Sequence, residues 1–535
     1  MNNPFPTRQY PYRREGPSRA GVMSKQTQPA LAPGKLYRWI LGIDDASGSS
    51  ATGVPRAMSD SEVADLADPF ARLLGAISPP PVTAHTVVAA LDNTGLTHES
   101  FVVGEGLQIP WSDQTSSLAR QLRIAVAWKK VGKLAVLLST APPFDDQGVF
   151  LQVVGWDDQA NHFNFYERRL GAWIYAGNST NALTEPTRGK GPFDSHVNGA
   201  LVMKELKAPW LHWSSMAAVD LPGVQPTDSV QQEPLFRDRE GAEKLEQLVR
   251  SSVRQWTVQR LSLAVQGGTL SDAPALLRHV LTPTTLNLVT SPQESETVPA
   301  DGRLSLPMTP FLDTGSLFDL VAIPIDPPPL SAQWPFYRRM LVDQGYELRD
   351  ENGQLAHEGD THFAFPAFER SLEDQQVVSV MLQRGLLSKR MAACLVMVDF
   401  PNPVWSERRA ALMRHVPSSA LQSAQGWDLE AAILKAVQNA GASPASPEAE
   451  FLELWSVGDD WPTQFGQRIT SYLQALQTRL DSWDGFEAIG RLIESQRRRA
   501  RKRPLLEFSL TLPRAVKLPD ACLRMTFQAT VEETN

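Results

Sequence analysis

Histidines and tryptophans are concentrated in the segment Val149–Trp213, and their side chains are well suited to binding chemistry. The histidines are His162, His196 and His212, and the tryptophans are Trp156, Trp173, Trp210 and Trp213. Neutral imidazoles bind zinc, iron and haem iron, with the second ring nitrogen held by a hydrogen-bonding partner. We therefore interpret His196 and His212 as candidate metal ligands, although the spacing matches no named metal motif.

The strand pattern around His162 adds candidate catalytic groups. Successive side chains of a strand point to opposite faces, so His162, Asn164 and Tyr166 share one face and the phenylalanines between them share the other. We expect the phenylalanines to face the core, which leaves the polar set facing a cleft or water. His162 and Tyr166 are therefore candidate catalytic residues that serve a substrate as acid, base or hydrogen-bond donor.

Two indoles flank His212 in the sequence Pro209-Trp210-Leu211-His212-Trp213. Trp210 and Trp213 could line a cofactor pocket or fill a core. The residue types indicate a metal ion or a non-covalent haem, since covalent haem attachment needs a Cys-x-x-Cys-His motif that the sequence lacks. On this interpretation the protein is a metal- or haem-dependent oxidoreductase that acts on a small organic substrate.

A second function is open at this stage, that of a non-catalytic binding or assembly protein. In that case the aromatic-rich pocket holds a small-molecule ligand without reacting, and the tryptophans form core and interface. The run Arg497–Arg503 would dock an acidic partner at the end of a helix, where the helix dipole favours cations. A solvated helix end is the simpler explanation of the same run.

The segment around His357 could form a second metal site. His357, Asp360 and His362 place two imidazoles and a carboxylate within six residues. Two histidines and one carboxylate suit non-haem iron, but such sites are normally presented on rigid strands. The flanking residues are typical of a turn, which favours a solvated loop.

The segment Phe311–Ser316 contains Asp-Thr-Gly-Ser, the motif of aspartic proteases. These enzymes need two such aspartates that share a proton, and the sequence has no second copy. We therefore interpret Asp313 or Thr314 as a helix cap. Other local signatures of catalysis are also absent from the sequence, including the P-loop, the His-Glu-x-x-His helix and the Gly-x-Ser-x-Gly elbow.

The positions of these motifs depend on the elements around them. Three apolar runs separated by turn residues predict an antiparallel β-meander over 149–176. Upstream, Ser59 and Glu62 have the spacing of a helix capping box. Downstream, an apolar stripe predicts a long helix over Glu240–Leu263. Helical periodicity dominates from about 333 to 503, and the last residues return to a strand pattern.

Together the elements predict an α+β fold. We expect a disordered tail over 1–34, a mixed N-terminal domain over 35–310 that contains the meander, a mainly helical domain over 311–503, and a strand pair over 504–535 that returns to the N-terminal sheet. Because pockets favour domain interfaces, we expect any ligand to lie between the two domains. Met23 is a second candidate start.

Composition narrows the class of protein. A formal net charge of −8 argues against broad nucleic-acid binding, which needs clustered lysine and arginine. The apolar runs fall short of the roughly 18 to 20 residues that span a bilayer, so we expect no membrane span. The two cysteines are too few for a disulfide framework and indicate a reducing, cytoplasmic setting.

Overall fold

The computed structural model describes residues 31–45, 55–104, 122–292, 299–349, 356–358, 364–501 and 513–534, apart from 33, 170, 202–205, 209, 211–212, 215–228 and 442. A mainly antiparallel sheet lies in the N-terminal part and helices dominate the C-terminal part, so the predicted α+β class is confirmed. The predicted disordered tail lies outside the described residues except for residues 31, 32 and 34.

An eight-stranded sheet forms the N-terminal part, which we call the sheet module. Its strands are β1 (Leu36–Arg38), β2 (Arg56–Ala57), β3 (Thr97–Gly104), β4 (Leu122–Lys130), β5 (Lys133–Thr140), β6 (Leu151–Asp157), β7 (His162–Arg169) and β8 (Ala172–Asn178). Their order is β2-β1-β8-β7-β6-β5-β4-β3, and β1 and β8 are the parallel pair. The predicted meander is confirmed as β6, β7 and β8, which short turns connect in antiparallel order.

Helices cover both faces of this sheet. One face packs against α1 (Asp60–Ala64), α2 (Pro69–Ala76), α3 (Ala84–Asp92), α4 (Ser229–Gln232) and α5 (Pro234–Arg237). The other face packs against the first part of α6 (Ala242–Ala264) and against described residues between 182 and 201 together with Leu206, Trp210 and Trp213. Strand residues are therefore buried on both sides, and a polar side chain on either face needs a partner within the protein.

Local signals explain where the first helices begin. The Ser59 hydroxyl accepts a hydrogen bond from the backbone N–H of Glu62, and the Glu62 carboxylate accepts one from the backbone N–H of Ser59 at 2.9 Å, so the predicted capping box is present. Pro69 stands in the first turn of α2, where the missing N–H costs little. Asp68 caps that helix.

The rest of the chain, from residue 265 onward, forms the helical module. Its helices are α7 (Ala273–Leu281), α8 (Trp334–Asp343), α9 (Leu372–Gln383), α10 (Lys389–Met397), α11 (Glu407–Ala411), α12 (Leu429–Asn439), α13 (Pro447–Ser456), α14 (Trp461–Leu480) and α15 (Trp483–Arg501), with a π-helix at Gly315–Leu320. Their core also takes up the C-terminal end of α6 and residues of 270–306. The two cores thus divide within α6, upstream of the boundary predicted at residue 310.

Short strands complete the helical module. They are β9 (Val265–Gln266), β10 (Thr269–Ser271), β11 (Leu286–Val289), β12 (Arg303–Leu306), β13 (Leu330–Gln333), β14 (Tyr346–Arg349), β15 (Ala356–Glu358), β16 (Ala367–Arg370), β17 (Ser419–Ser423), β18 (Gly426–Trp427), β19 (Arg514–Ala515), β20 (Leu523–Met525) and β21 (Val531–Glu533). They form sheets of two to four strands at the edges of the helices.

The prediction that the final strands return to the N-terminal sheet is wrong for the described residues. β19 pairs with β14, and β20 pairs with β21, so all three belong to the helical module. The first strand predicted there, Leu505–Leu512, lies outside the described residues. Alternation of apolar and polar residues indicates a strand with one buried face, but it does not indicate which strand is the partner, because tertiary packing determines the pairing.

Candidate functional site

The polar face of β7 is buried instead of facing a cleft. Asn164 and Tyr166 are 0% and 2% exposed, and the Tyr166 ring packs edge-on against Phe70 of α2. Asn164 Nδ2 donates to Asp68 Oδ2 at 2.9 Å, and the Tyr166 hydroxyl donates to the same oxygen at 2.5 Å. The prediction that Tyr166 faces a substrate is therefore wrong, because its hydroxyl is bonded inside the sheet module.

Asp68 joins two elements at this point. Its Oδ1 accepts the backbone N–H groups of Phe70 and Ala71 at 3.0 Å each, while Oδ2 binds β7. Gly155 leaves room for the carboxylate, since a Cβ at that position would stand 2.2 Å from Oδ1. Burial raises the pKa of Asp68. The polar set of β7 is thus a structural joint between α2 and the meander.

His162 and His196 lie on opposite faces of the sheet. His162 is half-buried on the face of β7 that packs under α2, and burial lowers its pKa. His196 packs its ring on Phe165, on the other face, at a centroid distance of 5.1 Å, with Nδ1 3.0 Å from the carbonyl oxygen of Ala200. The sheet separates the two imidazoles, so they do not meet at one site. His212 lies outside the described residues.

Trp210 and Trp213 pack between the sheet and α6. Trp213 is 7% exposed and forms a β-bridge with Val103 on the edge of β3. Trp210 is half-buried, and its Nε1 donates to Glu246 Oε2 at 2.6 Å. Both indoles belong to the core between the sheet and α6. This agrees with the second of the two predicted alternatives, in which they fill a core and do not line a cofactor.

The two weaker motifs have separate outcomes. His357 lies in β15, whereas Asp360 and His362 lie outside the described residues. Asp313 Oδ1 accepts the backbone N–H of Ser316 at 3.0 Å, which is a cap-type hydrogen bond from the residue before the N-cap Thr314, and the Thr314 side chain makes no cap hydrogen bond. In the parts of the chain that the structure describes, no three side chains of His, Cys, Asp or Glu are grouped to hold a metal ion.

A dense acid–base cluster that the sequence analysis missed lies at the junction of the two modules. His279 of α7 has its Nδ1 2.8 Å from Asp374 Oδ1 and its Nε2 2.8 Å from Arg260 Nη1. A guanidinium only donates, so Nε2 must be the acceptor and Nδ1 carries the proton given to Asp374. Burial lowers the pKa of His279 to about 4, which keeps the ring neutral.

This cluster has the partners of a catalytic base but not the access. An imidazole oriented by a carboxylate becomes a base when its other nitrogen can reach a substrate. Here Arg260 occupies that nitrogen, and the His279 and Asp374 side chains are 0% and 1% exposed. The cluster is therefore structural, and it holds α6, α7 and α9 together.

Asn198 connects the sheet module to this cluster. Its Nδ2 donates to Glu373 Oε2 at 2.9 Å and lies 3.1 Å from Thr284 Oγ1, while its carbonyl oxygen accepts Trp256 Nε1 at 2.7 Å. Burial raises the pKa of Glu373 to about 7, with the neighbouring charge of Asp374 adding to the effect. A buried amide from the loop after β8 thus binds the first turn of α9.

The arginine run at the end of α15 turns inward. Arg497 is 1% exposed and donates from Nε to a backbone carbonyl oxygen at 2.9 Å. Arg498 and Arg501 donate to backbone carbonyl oxygens of the segment 513–519 at 2.6 to 2.9 Å. Arg498 and Arg501 fix the C-terminal segment to α15, and Arg497 binds the carbonyl oxygen of Pro366, so these three side chains are not the free docking surface that the sequence predicted. Residues 502–503 lie outside the described residues.

An open cleft of about 470 Å³ lies between the end of α15 and β19. It is lined by Glu347, Glu494, Arg498, Arg501, Arg514, Ala515, Val516 and Asp520. Glu494 Oε1 binds Arg498 at 3.1 Å and Arg501 at 3.2 Å, so these charges compensate one another. Arg514 pairs with Glu347 in the β14–β19 ladder, and its side-chain Nε is buried without a hydrogen-bond acceptor.

Comparisons with known proteins give no relative for this fold or this cleft. No family model matches the chain, and searches of curated proteins and of solved structures found no significant similarity. Among the helices that the structure describes, none has the length and apolar composition needed to cross a membrane.

Proposed function

We propose that the protein is a non-catalytic binding or assembly protein whose ligand site is the cleft between α15 and β19. The observation that carries this proposal is the open space of about 470 Å³, which is lined by three arginines and is large enough for a small ligand or a peptide side chain. Arg498 and Arg501 are 19% and 18% exposed at the cleft, whereas the Glu494 side chain is 2% exposed.

The buried position of the acid–base groups supports a binding function over catalysis. A general acid or base must lie within hydrogen-bond reach of the substrate proton. His279 and Asp374 are sealed between the modules, and Tyr166 is bonded to Asp68. The metal- or haem-dependent oxidoreductase stays a prediction that depends on His196 and on residues outside the described part of the chain.

The walls of the cleft are fixed, which favours binding of a preferred ligand. Arg498 fastens the segment 513–519 to α15, and β19 pairs with β14 on its other side. A preformed site loses little side-chain and backbone freedom when a ligand binds. As part of the proposal, the protein acts in the cytoplasm, where its free cysteines Cys394 and Cys522 stay reduced.

The proposal is tested by filling the cleft. Val516 lines the cleft and is 54% exposed, so Val516→Trp should occupy the space and leave the fold intact. A chemically diverse set of small acids, amines, amides and short peptides is screened against the wild-type protein and the variant by isothermal titration calorimetry. Leu421→Trp on β17 is the matched control, since Leu421 is 57% exposed and lies outside the cleft.

Compounds that bind the wild type and the control but lose at least about tenfold in affinity for Val516→Trp support the proposal. Compounds that bind all three proteins equally, or a screen without any binder, contradict it. Chemical conversion of a bound compound would contradict the non-catalytic assignment.

A further inference from the structure

We infer that residues 324–329, which we call the proline segment, are a docking site for a partner protein that binds polyproline II helices in a groove of aromatic side chains bordered by basic residues. The proline segment shares no residue with the lining of the cleft, so this inference is independent of the proposed function and goes beyond it. The argument depends on the backbone of the segment, the exposure of its rings, and its charge.

The prolines restrict the backbone of this segment to an extended form. Its sequence is Pro-Ile-Asp-Pro-Pro-Pro, and these residues belong to neither a helix nor a strand. Each proline fixes its own φ at about −65°, and a residue before a proline is disfavoured in the α-helical region. Both limits favour polyproline II, which has about three residues per turn and would extend these residues over roughly 19 Å.

The segment is held at both ends and along one edge. Before it, the backbone N–H of Ile323 donates to the π-helix at 2.9 Å. After it, the backbone of Ser331 and the side chain of Gln477 exchange two hydrogen bonds, at 3.0 and 2.9 Å. Between them Ile325 lies against α14, where a Cβ on Gly466 would stand 2.8 Å from Ile325 Cγ2. A partner therefore meets a ligand that is already extended, and little backbone freedom is lost on binding.

The other two edges of the segment face away from α14. With three residues per turn, Pro324 and Pro327 share one edge, and Asp326 and Pro329 share another. Pro324, Asp326 and Pro329 are exposed and Pro327 is half-buried, whereas Ile325 begins the edge that faces α14. Two prolines spaced by three residues on an accessible edge have the Pro-x-x-Pro spacing that aromatic grooves bind.

A comparison with a second run of three prolines shows that the fold does not use this one in the same way. In residues 79–81, Pro81 is buried and its carbonyl oxygen accepts Trp173 Nε1 at 2.7 Å. No described residue donates a hydrogen bond to the carbonyl oxygens of the proline segment. Carbonyl oxygens beside proline rings suit the hydroxyl of a tyrosine or the indole N–H of a tryptophan in an aromatic groove.

The charge of the segment selects among such grooves. Asp326 places an exposed carboxylate between the two prolines of the outward edge. Complementary charge favours encounter with the right partner, and like charge disfavours the wrong one. A groove bordered by arginine or lysine therefore fits the segment better than one bordered by acidic residues.

The experiment measures binding of the full-length protein to a panel of purified WW and SH3 domains by biolayer interferometry. The panel contains domains whose grooves have basic borders and domains whose grooves have acidic borders. The variants are the double substitution Pro324→Ala with Pro327→Ala, and the single substitution Asp326→Lys. Pro335→Ala is the matched control, because Pro335 is an exposed proline in the first turn of α8. Thermal melting checks that each variant is folded, and Asp326→Lys changes an exposed side chain, so it tests the inference even if the double variant unfolds.

At least one domain with a basic border should bind the wild type and the control, and the double substitution should weaken this binding by at least about tenfold. Asp326→Lys should weaken the same binding and should favour domains with acidic borders. A panel in which no domain binds the wild type would overturn the inference. So would binding that the double substitution leaves unchanged, an equal loss in Pro335→Ala, or a preference of the wild type for acidic borders.

Discussion

Two regions of the molecule differ in whether the residues that stand out in the sequence are exposed at the surface of the fold. The segment Val149–Trp213 is rich in rings and imidazoles, and its described residues are largely part of the core. The end of α15 together with β19 carries a plain run of charges, and it forms an open cleft. A high density of aromatic and histidine side chains in the sequence therefore does not identify a functional site, because large aromatic side chains also fill protein cores.

The difference lies in whether the polar groups have partners. Asn164 and Tyr166 are bonded to Asp68 inside the sheet module, so these two polar groups have their partners within the protein. In the cleft, by contrast, Arg498 and Arg501 are 19% and 18% exposed and line an open space. Polar groups that are paired within a core have no free donor or acceptor left for a ligand, so a dense cluster of them is a weak sign of function.

The largest effect is expected from breaking the joint of the first region. Asp68→Ala removes a helix cap and leaves the Tyr166 hydroxyl and the Asn164 amide without their partner, so we expect a loss of about 4 kcal/mol in the free energy of unfolding. Urea titration followed by tryptophan fluorescence measures it. Asp60→Ala, at the exposed first turn of α1, is the control. A loss near that of the control would mean that water reaches the polar face of β7, as the sequence predicted.

A somewhat smaller effect should appear where Asn198, from the first region, meets the helical module. The folded pKa of Glu373 is raised from 4.5 to about 7, so the folded state resists ionisation and loses stability as pH rises through this window. Glu373→Gln does not ionise. The free energy of unfolding of Glu373→Gln should therefore equal that of the wild type near pH 4 and exceed it by about 3 kcal/mol at pH 8.

Chemical denaturation at a series of pH values measures this difference for the two proteins. Glu185→Gln is the control, because the Glu185 side chain is 83% exposed. A difference between Glu373→Gln and the wild type that stays constant from pH 4 to pH 8 would show that folding leaves the pKa of Glu373 at its ordinary value, and that the junction is accessible to water.

The smallest effect is expected in the second region, where the arginines of α15 fix the C-terminal segment. Arg498→Ala frees the carbonyl oxygens of Ala515 and Leu518, for which we expect a loss of about 2 kcal/mol and faster amide hydrogen exchange over 513–525. Arg499→Ala is the matched control, as the Arg499 side chain is 38% exposed and lies over the Trp405 ring. Equal amide hydrogen exchange over 513–525 in both variants would mean that Arg498 is solvated, as expected for the exposed helix end that the sequence favoured.

Features that depend on neighbours in the chain could be predicted from the sequence. The meander, the capping box at Ser59 and the long helix α6 follow from alternation, cap spacing and an apolar stripe. Each of these signals lies within one element or between two adjacent ones, where spacing along the chain determines spacing in the fold.

Features that depend on distant partners could not be predicted. Asp68 is 98 residues from Tyr166, and His279 is 95 residues from Asp374. The residues next to His279 and Asp374 in the sequence do not indicate whether these two side chains form a buried pair or are separately exposed to solvent. The cleft was missed for a related reason, because an open space is recognised only when the residues that line it have positions.

The length of α6 has a consequence for how the protein unfolds. Its 23 residues extend roughly 35 Å, with the first part packed against the sheet and the last turns packed among the helices of the other module. Both cores include residues of this helix, so unfolding of either module would expose apolar residues of the other module to water. The protein should therefore lose both halves in a single cooperative transition, and proteolytic fragments divided near residue 310 should not remain folded.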